Sequence, residues 1–261
     1  QNSTLNNARF ITTTTPEMEF AVLTRYGFYL SEKMRRARFI HDNSYYEIAD
    51  KLSLKKDESW QEDYKKSLKI DPSKIIILFG HNAHRENNHV KFLKVLRTLS
   101  KDTVSNFHII FPWTYGDNEK KYIEELEAII AEIPASFSFL KEFLNWDELV
   151  RLKKISDVYI HCPTTDGLSA FLTEFFYTGN LAIVGEWLPY KTFKNFGINY
   201  STFQDFGELK HILSNLKVQL DDSKDLSIKN RDIVARNFDI SKISNEWVKI
   251  FKELEDSGKG E

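Results

Sequence analysis

One stretch constrains the fold more than any other: the run Ile75, Ile76, Ile77, Leu78, Phe79, then Gly80, then His81, Asn82, Ala83, His84, Arg85, Glu86, Asn87, Asn88 and His89. Five apolar residues, three of them β-branched, are too short for a buried helix and suit a strand covered on both faces. Gly80 closes the strand where the backbone turns tightly or lets a ligand approach. The polar residues behind it then lie between a strand C-terminus and a helix N-terminus. In an open α/β sheet that edge binds ligands, and the helix end favours phosphate.

The flanking chain repeats the pattern. After Asp71-Pro72-Ser73 the spacing predicts a helix near 87–99, with Val90, Leu93, Leu96 and Leu99 on one stripe, and a strand over 107–111 ended by Pro112. A helix capped by Asp117 follows, running to about 133, then a strand over 137–143 and a helix begun by Asn145. Strands over 158–160, 181–184 and 198–200 come next, with a helix from 167 to 177 closed by Gly179. Alternation at this spacing implies parallel strands with right-handed crossovers, a doubly wound α/β sheet over about 73–220. Helices follow near 206–216, 223–237 and 241–255. Before residue 73 the signals are sparser: a strand over 8–14, a helix started by Thr15-Pro16-Glu17 and ended at Gly27, a short strand at Phe39-Ile40, and mostly helix over 44–68. The expected division is a partial N-terminal domain and linker over 1–72, the sheet domain over 73–220, and C-terminal helices over 221–261. The chain opens at Gln1 without an initiator Met, as a piece of a longer protein would.

Bulk properties exclude several classes. A net charge of −2 over 261 residues gives no electrostatic basis for holding nucleic acid. One cysteine, Cys162, forbids an internal disulfide and fits a reducing compartment. No run is long and apolar enough to span a bilayer. The basic group Lys33, Arg35, Arg36 and Arg38 reads either as an interdomain face or as a contact with an anionic membrane or lipid pyrophosphate.

Four polar turns carry the chemistry. In the first, Arg85 is placed to neutralise a pyrophosphate, and Gly80, His81, Asn82 and Asn87 offer backbone and side-chain hydrogen bonds; the alternative is a capped turn. His81, His84 and His89 do not match a known zinc spacing. In the second, Trp113 and Tyr115 flank a ring or a sugar face, or else pack the loop. In the third, Asn145 reads a nucleobase edge or caps a helix over a core Trp146. In the fourth, Asp166, Gly167, Leu168 and Ser169 lead into a helix whose N–H groups face an anion. That helix carries Glu174 among Phe171, Leu172, Phe175 and Phe176, where a carboxylate needs a partner; a ribose diol suits it, and a solvated face is the alternative. His161 and Cys162 are adjacent on a strand, point to opposite faces and form no dyad.

Polar turns that all follow parallel strands resemble the donor-binding, C-terminal Rossmann-like domain of GT-B glycosyltransferases. Asp166-Gly167 with Glu174 eight positions on, then Thr178-Gly179, is similar to the acid-Gly-acid signature of many such enzymes, with Asp in the usual Glu position. The resemblance implies a ribose contact for Glu174. Over roughly 75–190, Gly80, Arg85, Asn87, His89, Pro112, Tyr115 and Tyr122 resemble the bacterial 4-acetamido-4,6-dideoxygalactose (Fuc4NAc) transferases, also described as 4-alpha-L-fucosyltransferases, of enterobacterial common antigen synthesis. That family implies a dTDP-sugar donor, a polyprenyl-linked saccharide acceptor, a cytoplasmic location at the inner membrane face, and neither metal nor other cofactor. A nucleotide-sugar 2-epimerase on the same fold and a non-catalytic nucleotide-sugar-binding module are the alternatives.

Overall fold

The structure is a computed structural model that describes residues 2–39, 42–55, 57–114 and 119–258. After α1 (Asn2–Asn7), the N-terminal unit is a parallel pair, β1 (Ile11–Thr13) and β2 (Met34–Arg36), joined through α2 (Pro16–Tyr26). Thr15 caps α2 by accepting from the Met18 N–H at 3.2 Å, and Gly27 ends it at φ 119°. Of the strand expected at Phe39-Ile40, Phe39 is in no strand, since the pairing with β1 is made by Met34–Arg36, and Ile40 lies outside the described residues. The Asp117 cap lies outside them as well.

Two helices, α3 (Asn43–Ser53) and α4 (Ser59–Ser67), lead to the main sheet. Its first half is β3 (Ile75–Phe79), α5 (His89–Thr98), α6 (Lys101–Val104), β4 (Phe107–Pro112), α7 (Lys120–Ile130) and β5 (Ser136–Leu140). The second half is α8 (Trp146–Ile155), β6 (Val158–His161), α9 (Ala170–Thr178), β7 (Leu181–Gly185), α10 (Lys191–Asn195) and β8 (Ser201–Phe203). Three helices finish the chain: α11 (Phe206–Ser214), α12 (Leu216–Asn237) and α13 (Ile240–Gly258).

All six strands are parallel, in the order β5-β4-β3-β6-β7-β8. The chain winds outward from β3 to β5, then crosses to β6 on the other flank of β3. That reversal places the topological switch point between β3 and β6, where the crevice of a doubly wound sheet forms. The last strand sits at Ser201–Phe203 rather than 198–200, because Ile198 turns into the core and the Asn230 side chain exchanges two 2.7 Å hydrogen bonds with the Asn199 backbone.

Strand alternation splits the apolar residues between two cores. Ile77 and Phe79 face α5, α7 and α11 through Phe92, Leu96, Leu126 and Leu209. Ile76 and Leu78 face the opposite layer, with Val150 of α8, Leu172 and Phe175 of α9, and Tyr45 and Ala49 of α3. α3 therefore belongs to the covering of the sheet. α13 returns to the N-terminal unit: Glu246 pairs with Arg38, Glu253 with Arg35 at 2.6 Å, and the Trp247 indole N–H donates to the Arg38 carbonyl at 2.8 Å. With Arg36 on Glu19 at 3.1 Å, the basic group Arg35, Arg36 and Arg38 is matched by acids, which favours its interdomain reading. Among the described residues no helix is long and apolar enough to cross a membrane.

Candidate donor site at the sheet switch point

The loops after β3 and β6 meet and are stapled together. The Thr164 N–H donates to the Glu86 carbonyl at 2.7 Å, and the Asn88 amide donates to the Cys162 carbonyl at 2.7 Å. Asn88 reaches that position from a left-handed conformation at φ 61°, which Asn tolerates better than most residues. Between the loops lies a cleft of about 240 Å³ lined by His81, Asn82, His84, Glu86, Asn87, Pro163, Thr165 and Asp166. A larger cavity of about 550 Å³ opens at the opposite edge, near Ser73, Asn106 and Asn180. It is at the N-terminal ends of the strands, where this architecture does not build its ligand crevice.

The β3 side of the cleft is shaped by its own side chains. Gly80 sits at φ +66°, and a Cβ there would stand 3.3 Å from His89 Nε2. Asn82 Oδ1 accepts from the His84 N–H at 2.9 Å and from the Asn87 amide at 2.6 Å. The Asn87 Oδ1 is buried without a hydrogen-bond partner. Burial, helped by nearby His161, pulls the His81 pKa down to about 4, so this ring is neutral at the cleft wall. His89 is elsewhere: it is fully buried among Phe79, Phe111, Trp113 and Tyr122. Among the described residues no three His, Cys, Asp or Glu side chains are grouped to hold a metal ion.

The β6 side is organised around Asp166. Its Oδ2 accepts from the Tyr190 hydroxyl at 2.7 Å and lies 3.0 Å from His161 Nε2; its Oδ1 accepts from the Gly167 N–H at 2.6 Å. His161 Nδ1 is in turn 2.8 Å from the Tyr159 hydroxyl. Burial raises the Asp166 pKa, but hydrogen bonding to His161, the charge interaction with it, and the bonds from Tyr190 and Gly167 outweigh that and hold it at about 2. The carboxylate is thus fixed and ionised at the cleft rim.

Several expected site residues have other duties. Arg85 turns out of the cleft, pairs with Glu119 at 2.9 Å and Glu125 at 3.1 Å, and lies over the Tyr122 ring at 4.3 Å. Those carboxylates supply the charge that a pyrophosphate was expected to supply. Trp113 is buried, its indole N–H donating to His89 Nε2 at 3.3 Å, so it offers no sugar platform. Tyr115 lies outside the described residues. Asn145 forms a capping box with Glu148 at the start of α8 and is not among the residues that line the cleft, and Trp146 is 39% exposed rather than core. α9 begins at Ala170, three residues beyond Gly167. Ser169 caps it through the Leu172 N–H at 3.2 Å, and Leu168 is buried in the core. A Cβ at Gly167 would press on Met18 Sδ at 3.3 Å, a tight contact that the flexible methionine would have to relieve. Glu174 has its partner already: the ammonium of fully buried Lys153, which lies 3.7 Å above the Phe171 ring. An internal cation therefore takes the place expected for a ribose diol.

Lys153, His161 and Tyr190 went unrecognised as partners in the sequence. Lys153 follows Val150 by three on the apolar stripe of α8, a position where a lysine signals a buried anion. His161 continues the β6 alternation with Tyr159. Tyr190 carries no local signal, because only the sheet order brings it beside β6.

Comparison with known proteins agrees with this geometry. Residues 61–189, just under half of the chain, match the model of the family described as glycosyl transferases group 1. Anabaena HepE, solved in complex with UDP-glucose, superposes with a TM-score of 0.75 at 13% identity, covering 97% of this chain and 68% of that one. A glycosyltransferase from Rickettsia africae gives 0.74 at 13% identity, over 97% of this chain and 66% of that one. Sucrose-phosphate synthase from Thermosynechococcus elongatus gives 0.72 at 14% identity, over 98% of this chain and 61% of that one. The chain thus spans about two thirds or less of the length of these proteins, and at such identities the likeness is one of fold. No curated protein sequence matches the chain. The family match thus covers part of the chain, and the parallel α/β fold is the one these solved glycosyltransferase structures share.

Proposed function

We propose that this chain is the donor-binding part of a glycosyltransferase that moves a sugar from a nucleoside diphosphate to a saccharide or polyprenyl-linked acceptor, with no metal or other cofactor. The observation that carries this reading is the cleft at the β3–β6 switch point, with the ionised Asp166 carboxylate at its rim. In this reading the diphosphate lies against the β3 loop and the starts of α5 and α9, whose backbone N–H groups stabilise the charge of the leaving group. His81, Asn82 and Asn87 supply neutral hydrogen bonds from the β3 side, the otherwise unpartnered Asn87 Oδ1 accepting from the donor. Asp166 accepts from hydroxyls of the transferred sugar. Residues 1–72 belong to the acceptor side and to a linker whose helices α3 and α4 cover the donor sheet, 73–220 form the donor domain, and 221–261 are the helices that tie the two together.

The resemblance to Fuc4NAc transferases favours dTDP, whereas HepE was solved with UDP-glucose. Calorimetry with dTDP, UDP, GDP and ADP tests the reading: at least one of them binds, and Asn82→Ala weakens that binding. Failure of all four to bind refutes it. Nucleotide release that depends on added acceptor distinguishes transfer from 2-epimerisation.

A further inference from the structure

A second polar hollow, of about 350 Å³, lies beyond Tyr190 from the donor cleft, between the first turn of α2 and the segment that joins β7 to β8. Tyr190 lines it and also donates to Asp166, so one residue separates the two spaces. Glu17 enters from α2, Glu186 and Trp187 follow β7, Lys191 and Lys194 belong to α10, and Tyr200 precedes β8. Its volume is within the range of about 300–1,000 Å³ that small-molecule sites occupy.

Three features point to a ligand. Glu17 Oε2 is buried and has no hydrogen-bond partner, a costly state for a carboxylate oxygen unless a donor arrives from outside. Trp187 is a fixed aromatic surface: its N–H donates to the Pro163 carbonyl at 2.8 Å, its ring packs edge-on against Phe203, and the side chain is still 40% exposed. Gly185 makes that placement possible, since a Cβ there would come within 2.5 Å of the indole. Finally, Tyr200 donates to the Tyr190 carbonyl at 3.0 Å, and burial together with the charges of Glu17 and Glu186 pushes its pKa up to about 12. Both carboxylates therefore act on the same space.

The lining carries two carboxylates and two ammonium groups, so it favours a neutral ligand that both donates and accepts hydrogen bonds. Phosphates would meet Glu17 and Glu186. Hydroxyl-rich rings with an apolar C–H face suit an aromatic wall flanked by carboxylates. We propose that this hollow is a saccharide subsite, and that it holds the acceptor one residue away from the donor cleft. The acceptor role rests on the transferase reading above; saccharide binding does not.

The test is an NMR titration of the ¹⁵N-labelled chain with neutral saccharides (glucose, galactose, N-acetylglucosamine, fucose, maltose and cellobiose), following the indole N–H of Trp187, identified by Trp187→Phe. At least one probe shifts this resonance saturably while that of Trp60 stays fixed. Glu17→Gln weakens that binding at least tenfold, with nucleoside diphosphate binding unchanged within about twofold. The proposal is overturned if no probe up to about 50 mM moves Trp187, if Glu17→Gln binds as the parent does, or if a nucleoside diphosphate displaces the sugar. Saccharide binding in a chain that binds no nucleoside diphosphate upholds the subsite and removes its acceptor role.

Discussion

Buried His89 makes the chain sensitive to mild acid, by an amount that follows from its surroundings. An indole N–H only donates, so the 3.3 Å bond from Trp113 requires His89 Nε2 to be unprotonated and places the ring proton on Nδ1, 3.2 Å from the Tyr122 hydroxyl. A second proton would set two donors against each other in a pocket of Phe79, Phe111 and Trp113. Burial, reinforced by the nearby His81, lowers the His89 pKa from 6.5 to about 3. The unfolded chain takes up that proton near pH 6.5 and the folded chain does not, so stability is complete above pH 6.5 and is lost as pH falls toward 3. Between pH 7 and 5 the loss is about 2 kcal/mol for His89. His81, lowered to about 4, loses a similar amount over the same interval, so the pair loses about 4 kcal/mol. His89→Gln keeps an acceptor for Trp113 without a titrating ring. Urea denaturation at pH 7 and pH 5 should show the variant losing about 2 kcal/mol less than the parent. Equal losses in the two proteins, or a His89 ring that titrates near 6.5 in the folded state by NMR, refute the argument.

Three further outcomes are expected. Glu174→Gln strands the Lys153 ammonium among apolar rings and costs about 3–5 kcal/mol in urea denaturation, whereas Lys153→Met with Glu174→Gln recovers most of that loss. Gly80→Ala costs about 1–2 kcal/mol, measured the same way, because its left-handed φ of +66° penalises a Cβ. Tyr190→Phe removes one of the hydrogen bonds that favour ionised Asp166, so the Asp166 pKa rises, and the onset of its protonation, read from the carboxyl ¹³C shift by NMR as pH is lowered from 7 to 4, moves to higher pH.

The legible parts of the fold were those written in local periodicity. The Ile75–Phe79 strand, the α9 terminus at Gly179 and the caps at Thr15 and Asn145 all rest on residues close in sequence. The candidate site was legible at the level of turns, because a parallel strand followed by polar residues fixes which sheet edge they occupy. Side-chain partners were less legible. Arg85 belongs to Glu119 and Glu125 on α7, and Glu174 belongs to Lys153, 21 residues earlier on α8. Such choices depend on how helices pack on the sheet, which the spacing of charges along the chain does not encode.

The two acids of the Asp166–Glu174 signature show why spacing and role separate. Asp166 stands in a loop before α9 begins, where its direction is set by His161 and Tyr190 from two neighbouring parts of the sheet edge. Glu174 stands inside α9, where its direction is set by the helix itself and points into the layer shared with α8 and α3. Eight residues therefore span a change from loop geometry to helix geometry, and the same spacing yields one acid at the cleft and one in a buried ion pair. The Asp166 carboxylate stays ionised at the cleft because His161, Tyr190 and the Gly167 N–H hold it. A carboxylate beside Lys153 has spent its charge on the fold. Under the proposed function the pair divides recognition from stability, and the calorimetric response of Asp166→Asn against Glu174→Gln/Lys153→Met tests that division: the first should weaken nucleotide-sugar binding in a chain of ordinary stability, and the second should leave it within about threefold.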